Sequence, residues 1–334
     1  MGGGIIINIK EEKSLNFNGT AVATGCSLGV DSLSAVYGHL ENNVVEGFKL
    51  THLTLFNSGQ LGDYDLEASE QNFYNNVEDI TPLANILNLP VLAINSNLNS
   101  FYKSSGIFVL QTVAVRTMAF ALSVQKLIRY YIFGSTYPVN KIKFDDFDTE
   151  CQEAALLPLL STENFQPILA DPFSTRVDKT RYVISKPLTS KYLKVCWAEQ
   201  TAYEIWHNTM FLDGKTKANC GWCDKCLRTL LTIEVINNGN IEDYKDRFDI
   251  DKYYQYRDKY IAKIFAEKDK NVFYQEIVNL IIQEEYPIPN YILKKYHRDL
   301  LIQRFKNKLF SLFFKIKKKI NSVVCKSDAV NKTL

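Results

Sequence analysis

The chain lacks the roughly 20 consecutive apolar residues that a membrane-spanning helix needs, and its most apolar helical stretch, residues 108–124, is interrupted by Arg116. That stretch fits a helix buried in a protein core. The opening MGGGIIINIK has no charged segment ahead of its apolar residues and no small-residue cleavage pattern after them, so a secretory signal is not expected. Position 6 is Ile6, where a myristoylation signal carries Ser or Thr. These absences lead us to expect a cytoplasmic protein. Neither G-x-x-x-x-G-K-S/T nor G-x-G-x-x-G occurs, which removes the usual markers of γ-phosphate transfer and of dinucleotide redox chemistry. There is no internal repeat and no low-complexity segment.

The composition is that of a globular protein. With 334 residues, 46% hydrophobic and 23% charged, the chain can bury a sizeable core without covalent staples. Its seven cysteines are an odd number, and three of them crowd at Cys220, Cys223 and Cys226, which suits a metal site better than a disulfide framework. The net charge of +2 conceals an asymmetry: residues 294–334 carry 12 Lys or Arg against Asp299 and Asp328, so that tail stands at +10 and the rest at −8. An acidic body has no general affinity for nucleic acid, which is therefore not an expected partner.

Short apolar runs alternate with amphipathic stretches through the first half. Strands are expected at 20–24, 52–56, 91–94 and 130–133, and helices at 30–40, 66–87 and 108–128. Each crossover is long enough to carry a helix back across a parallel sheet, so the expected fold class is α/β, a doubly wound parallel sheet. Residues 144–187 are punctuated by Pro158, Pro167, Pro172 and Pro187 and look like a substrate-facing region or an irregular connection. Helices are expected again at 225–237, 253–267, 272–284 and 299–323. We divide the chain into an N-terminal segment (1–17), an α/β domain (18–195), a cysteine module (196–240), a helical region (241–297) and a basic tail (298–334).

The strongest catalytic signal is Ser27-Leu28-Gly29-Val30-Asp31-Ser32, placed where the first strand opens into the first helix. N–H groups at such a junction have no helical partner and the helix dipole favours an anion there, so phosphate is the natural guest. Gly29 lets the backbone come close, Ser27 and Ser32 offer hydroxyls, and Asp31 can hold Mg²⁺ or cap the helix. Asp31→Ala is expected to stop turnover and leave the fold intact.

The second signal is Cys220-Gly221-Trp222-Cys223-Asp224-Lys225-Cys226, with Cys196 lying 24 positions upstream of Cys220. A tight turn at Gly221 can aim several sulfurs at one centre, and four thiolates complete a tetrahedral Zn²⁺ shell with no position left for water. Such a metal is structural. An iron–sulfur cluster on three of the thiols, with Cys196 uninvolved, and His207 as a substitute fourth ligand are the alternatives.

SLGVDS resembles the SGGxDS motif of the PP-loop ATP pyrophosphatases, departing from it at Leu28, where that pattern has glycine. Together with the run NCGWCDKCLRT at 219–229, it resembles the 7-cyano-7-deazaguanine synthase (QueC-like) branch of that family, over about residues 25–251. The resemblance implies a HUP-type, adenine nucleotide α-hydrolase-like fold that binds ATP and Mg²⁺. It further implies transfer of AMP to a small or carrier-bound carboxylate, release of pyrophosphate, and an amide-type ligation, by attack of ammonia in the deazaguanine enzyme. On that basis Ser27, Leu28, Gly29, Val30, Asp31 and Ser32 form the phosphate cradle, and Asp31, Ser32, Arg176 and Lys179 are the candidate catalytic residues. Leu55, Phe56 and Asn57, at the end of the second strand, are the candidate adenine contacts, with 135–137 at the same sheet edge. Cys196, Cys220, Cys223 and Cys226 are the expected Zn²⁺ ligands. Two other functions compete: a tRNA-thiolating enzyme with an iron–sulfur cluster, and a zinc- and ATP-binding scaffold without turnover.

In the tail, Leu301, Phe305, Leu309, Leu312, Ile316, Ile320 and Val323 recur at three- and four-residue steps among lysines. That stripe suits an anionic membrane interface at the inner face, packing on the enzyme, or packing on a second copy in a homo-oligomer.

Overall fold

The computed structural model describes residues 19–41, 43–61, 66–103, 105–107, 109–144, 148–196, 217–294, 298, 301 and 302. Its centre is β1 (Ala21–Gly25), whose small and β-branched residues are almost wholly buried. Parallel pairing adds β2 (His52–Phe56) and then β3 (Val91–Ile94) on one side, and β4 (Ile128–Gly134) and then β5 (Gln166–Ala170) on the other. The sheet order is β3-β2-β1-β4-β5.

In chain order the helices are α1 (Val30–Gly38), α2 (Leu66–Leu87), α3 (Leu98–Lys103), α4 (Val113–Ser123), α5 (Glu153–Leu156), α6 (Arg176–Ile184), α7 (Thr189–Tyr192), α8 (Asp224–Ile236), α9 (Ile250–Glu267) and α10 (Val272–Gln283). Strand alternation sends Leu53 and Leu55 to one face, where Leu33 and Val36 of α1 and Ile80 and Leu83 of α2 cover them. The opposite face sends Ala23, Phe56 and Tyr131 against Met118 and Ala121 of α4. Both faces are covered, as a doubly wound sheet requires. The first of these cores continues without a break through Leu230 and Ile233 of α8, Tyr253 and Ile261 of α9, and Ile277 and Ile281 of α10. At roughly 1.5–3 kcal/mol for each large apolar side chain buried, α8–α10 are bound into the same core as the sheet.

β2, β3 and α2 take the bounds expected of them, and β1 and β4 differ by one or two residues. Two expectations need correction. The single helix expected over 108–128 is a 3₁₀ turn (Val109–Gln111) followed by α4, because the chain must turn after Ser123 to deliver Ile128 opposite Ala21. Arg116 is buried in α4: its guanidinium donates to the Thr112 hydroxyl (2.6 Å) and the Ile107 carbonyl (3.3 Å) and covers the Tyr102 ring at 3.8 Å. The second correction is β5, which lies in the proline-punctuated stretch. Pro167 is tolerated because β5 is an edge strand, with β4 alone requiring donors from it. Just beyond it, Thr175 and Asp178 form a reciprocal capping box that starts α6. No helix among the described residues is long and apolar enough to cross a membrane. The helix expected at 299–323 and the alternative ligand His207 lie outside the described residues, apart from Leu301 and Ile302.

Candidate functional site

From β1 the chain first winds outward through β2 and β3, then crosses to β4 and β5 on the other side, so a crevice opens between the carboxyl ends of β1 and β4. α1 starts at this crevice. Gly134, the last residue of β4, brings that strand against the first turn of α1: a Cβ there would stand 3.0 Å from the Asp31 carbonyl oxygen.

No side chain caps α1, so its first-turn N–H groups face the crevice without an acceptor from the helix itself. Ser27 and Ser32 brace the loop: the Ser27 N–H donates to the Ser32 hydroxyl (3.3 Å), which donates to the Gly29 carbonyl (3.0 Å). Leu28 takes φ 60°, the left-handed conformation that glycine adopts readily. Its side chain is buried in the main core, and its carbonyl accepts the Lys194 N–H at 2.9 Å. The departure from glycine therefore leaves the loop in a glycine-like backbone, at a strain cost of about 1–2 kcal/mol offset by burying leucine. Gly29 is not required by its own backbone, and a Cβ there would meet the Ser27 hydroxyl at an ordinary 3.4 Å.

The crevice has two lobes, of about 280 Å³ and 190 Å³, which share Ser27, Asp31, Ser32, Gln60, Val113 and Glu150 as their common wall. Arg176, Lys194 and Lys225 line the larger lobe. Asp31 is the hub. Arg176 at the start of α6 is ion-paired to its Oδ2, and the Lys179 ammonium lies 3.7 Å from its Oδ1. Lys179 is buried behind the wall and also donates to the Ser135 hydroxyl (2.6 Å) and carbonyl. Burial lowers the pKa of Arg176 and of Lys179, and the Asp31 carboxylate opposes that shift in each. Asp31→Ala would leave both cations without their carboxylate, which corrects the expectation that the fold would be untouched.

Two acids complete the wall. Burial, aided by Asp148, pushes Glu150 up to about 7, against Lys225 and Arg176. Glu153, 2% exposed, accepts the Thr136 N–H at 3.1 Å, and burial and the neighbouring Glu150 raise its pKa well above the usual range. Of the expected adenine contacts, Leu55 and Phe56 line the smaller lobe. Asn57 sits behind it, with its amide bonded to Asn95 (2.8 Å) and Ser69 (3.1 Å). In the 135–137 segment, Thr136 reaches the lobe, Ser135 holds Lys179, and Tyr137 stacks on Phe273 at 5.0 Å.

The four cysteines converge. The sulfurs of Cys196, Cys220, Cys223 and Cys226 all lie within 4.8 Å of one another, and Cys220 and Cys226 are 3.9 Å apart. Sulfurs at about 2.3 Å from a tetrahedral metal stand about 3.8 Å apart, so the cluster can hold a metal ion and has dimensions suited to zinc. The turn depends on Gly221 at φ 77°, where a Cβ would be driven into the Asp249 carbonyl oxygen. Cys223 is the residue just before α8, with no capping bond from its side chain, and Cys226 lies in the helix's first turn. Hydrogen bonds from the other three thiols hold Cys196 towards the thiolate, whereas Cys223 and Cys226 are held protonated, the first chiefly by the Cys196 sulfur and the second by burial. Only a cation makes four thiolates at this spacing tolerable. Cys26, buried and pushed up to about 11, and Cys151, bonded to the Lys143 and Asp148 carbonyls, take no part.

Asn219 ties this cluster to the crevice. Its side-chain oxygen accepts the N–H groups of Val195 (2.7 Å) and Cys196 (3.1 Å), and its amide donates to the Leu193 carbonyl (2.9 Å).

No protein-family model matches the chain, and neither does any curated protein or solved structure. Sequence reasoning missed Glu150, Glu153, Lys194, Lys225 and Gln60 at this site. Lys225 had a signal, being enclosed by ligand cysteines. The others come from loops and a short helix with no motif.

Proposed function

We propose that the chain is an ATP pyrophosphatase of the PP-loop kind, which adenylates a carboxylate and passes the acyl group to an amine. The carrying observation is an uncapped helix terminus at the switch point of a parallel sheet, opening on a cleft with Asp31 and three cationic side chains in its wall. In this reading the adenine of ATP lies against Leu55 and Phe56 and its phosphates meet the N–H groups of α1 and the Ser27 and Ser32 hydroxyls. Mg²⁺ would supply charge neutralisation to the phosphates, and Asp31, whose Oδ1 is a buried atom with no hydrogen-bond donor among the described residues, would hold it.

A carboxylate oxygen attacks the α-phosphorus, the α–β phosphoanhydride breaks, and pyrophosphate leaves towards Arg176, Lys194 and Lys225. The amine then adds to the acyl carbon, AMP departs, and Glu150 is the base we assign to the proton the amine loses. Lys179 acts from behind, fixing Asp31. In this reading the metal on the four cysteines is zinc and structural, since a closed four-thiolate shell leaves no open position on the metal and occupies each of those four sulfurs.

The purified chain should contain one zinc per molecule and catalyse exchange of pyrophosphate into ATP only when its carboxylate is supplied. Bound iron would favour a thiolating enzyme, and tight ATP binding with no exchange over a broad set of carboxylates would favour a scaffold. The basic tail, almost all of it outside the described residues, would carry contact with an anionic membrane.

A further inference from the structure

Residues 193–196 touch both centres. The Lys194 N–H donates to the Leu28 carbonyl at 2.9 Å, its ammonium pairs with Asp79 of α2 at 2.7 Å, and its carbonyl passes 3.8 Å from where a Gly29 Cβ would stand. Two residues on, the Cys196 sulfur joins the cluster. Between them the wholly buried Asn219 clamps Leu193, Val195 and Cys196, and its own backbone is fixed by the Arg247 carbonyl and the Asp249 N–H. Leu28, at the far end, holds a left-handed conformation that a leucine keeps only where its surroundings impose it.

We propose that the metal on the four cysteines sets the ATP affinity of the phosphate loop, with residues 193–196 as the strut between them and Asn219 as its positioning residue. The inference rests on reading the loop as an ATP site. When the metal is bound, Cys196 is fixed, Asn219 keeps its two N–H donors, and the Lys194 N–H stays on Leu28. When the metal leaves, four crowded sulfurs no longer share a cation. Cys196 is the half-buried one of the four and the one that lines the cleft, so it is the end that moves. Leu28 then loses its clamp and the cradle relaxes. Coupling of this kind is reciprocal: whatever factor the metal adds to ATP affinity, ATP adds to metal affinity.

The test uses the full zinc-loaded chain with Lys194→Pro and Lys194→Ala. Leu193 already has φ −53° and ψ 122°, suited to the residue before a proline. Lys194→Pro thus removes the N–H that holds Leu28, and Lys194→Ala controls for the lost ammonium. With zinc content verified, calorimetry with Mg²⁺-saturated ATP should find Lys194→Pro binding about tenfold more weakly than Lys194→Ala. In the wild type, saturating Mg–ATP should tighten zinc by a similar factor in equilibrium competition with a chelator, and that shift should vanish in Lys194→Pro. Equal ATP affinity in the two zinc-loaded variants, or zinc affinity in the wild type indifferent to ATP, overturns the strut. If Lys194→Pro fails to retain zinc, the wild-type coupling decides alone. A wild type that holds zinc but binds no ATP overturns the reading of the loop itself.

Discussion

Leu28 sets two effects of known size against each other. Leu28→Gly would relieve about 1–2 kcal/mol of left-handed strain, but it empties the space of a side chain that is 1% exposed, which costs roughly 3–5 kcal/mol. The cavity wins, so we expect a net loss of about 2 kcal/mol in denaturant unfolding. Asp31→Asn removes the charge that Arg176 and Lys179 share. With those side chains 10% and 1% exposed and Asp31 itself 20%, we expect loss of pyrophosphate exchange together with about 2–4 kcal/mol of stability. Glu150 gives a pH signature. Its pKa rises from 4.5 to about 7, so across that window the unfolded chain has released a proton that the folded chain keeps, and this group's contribution to stability falls as pH rises. Burial, Asp148 and Asp31 press in that direction, and Lys225 and Arg176 oppose it. Glu150→Gln should therefore raise the melting temperature more at about pH 8 than at about pH 5. A gain independent of pH would remove Glu150 from this role.

Among the elements, α8 carries the heaviest demands. It begins just after Cys223, offers Cys226 from its first turn, lines the cleft with Lys225, and buries Leu230, Leu231 and Ile233 in the main core. Its start is fixed by the Gly221 turn against the Asp249 carbonyl at the head of α9. Gly221→Ala should accordingly displace the turn, lower zinc content measured by mass spectrometry, and destabilise the chain by about 3 kcal/mol or more. α6 has a comparable double duty. Its capping box fixes Thr175 and Asp178, which places Arg176 on Asp31 one residue into the helix.

At the scale of the molecule, one continuous core joins α1, α2 and α6 to α8, α9 and α10. A cysteine module that folded independently would unfold first when its metal was removed. Here the helix that carries Cys226 shares that core, and structural zinc contributes about 10–16 kcal/mol in small modules. Denaturant unfolding of the zinc-loaded chain should thus show one transition, with zinc release coincident with loss of helix signal. Zinc release preceding a second, separate transition would contradict this.

The sequence by itself determined the class of fold and the two motifs. Period-two and period-3.6 patterning depends only on which face of an element is dry, so β2, β3 and α2 were legible to the residue, and thiols at two-residue intervals mark a candidate metal site by chemistry alone. β5 was not legible because Pro167 is a strand breaker everywhere except at an edge, and being an edge is a property of the assembled sheet. Glu150, Glu153 and Lys194 were not legible for a related reason: they come from connections without periodicity and acquire a role only when the sheet order brings those connections to one crevice. Tertiary structure also decided how the two motifs relate. The chain separates Leu28 from Cys220 by most of its length, and a single strut of four residues, clamped by Asn219, brings the loop and the metal site under one set of hydrogen bonds.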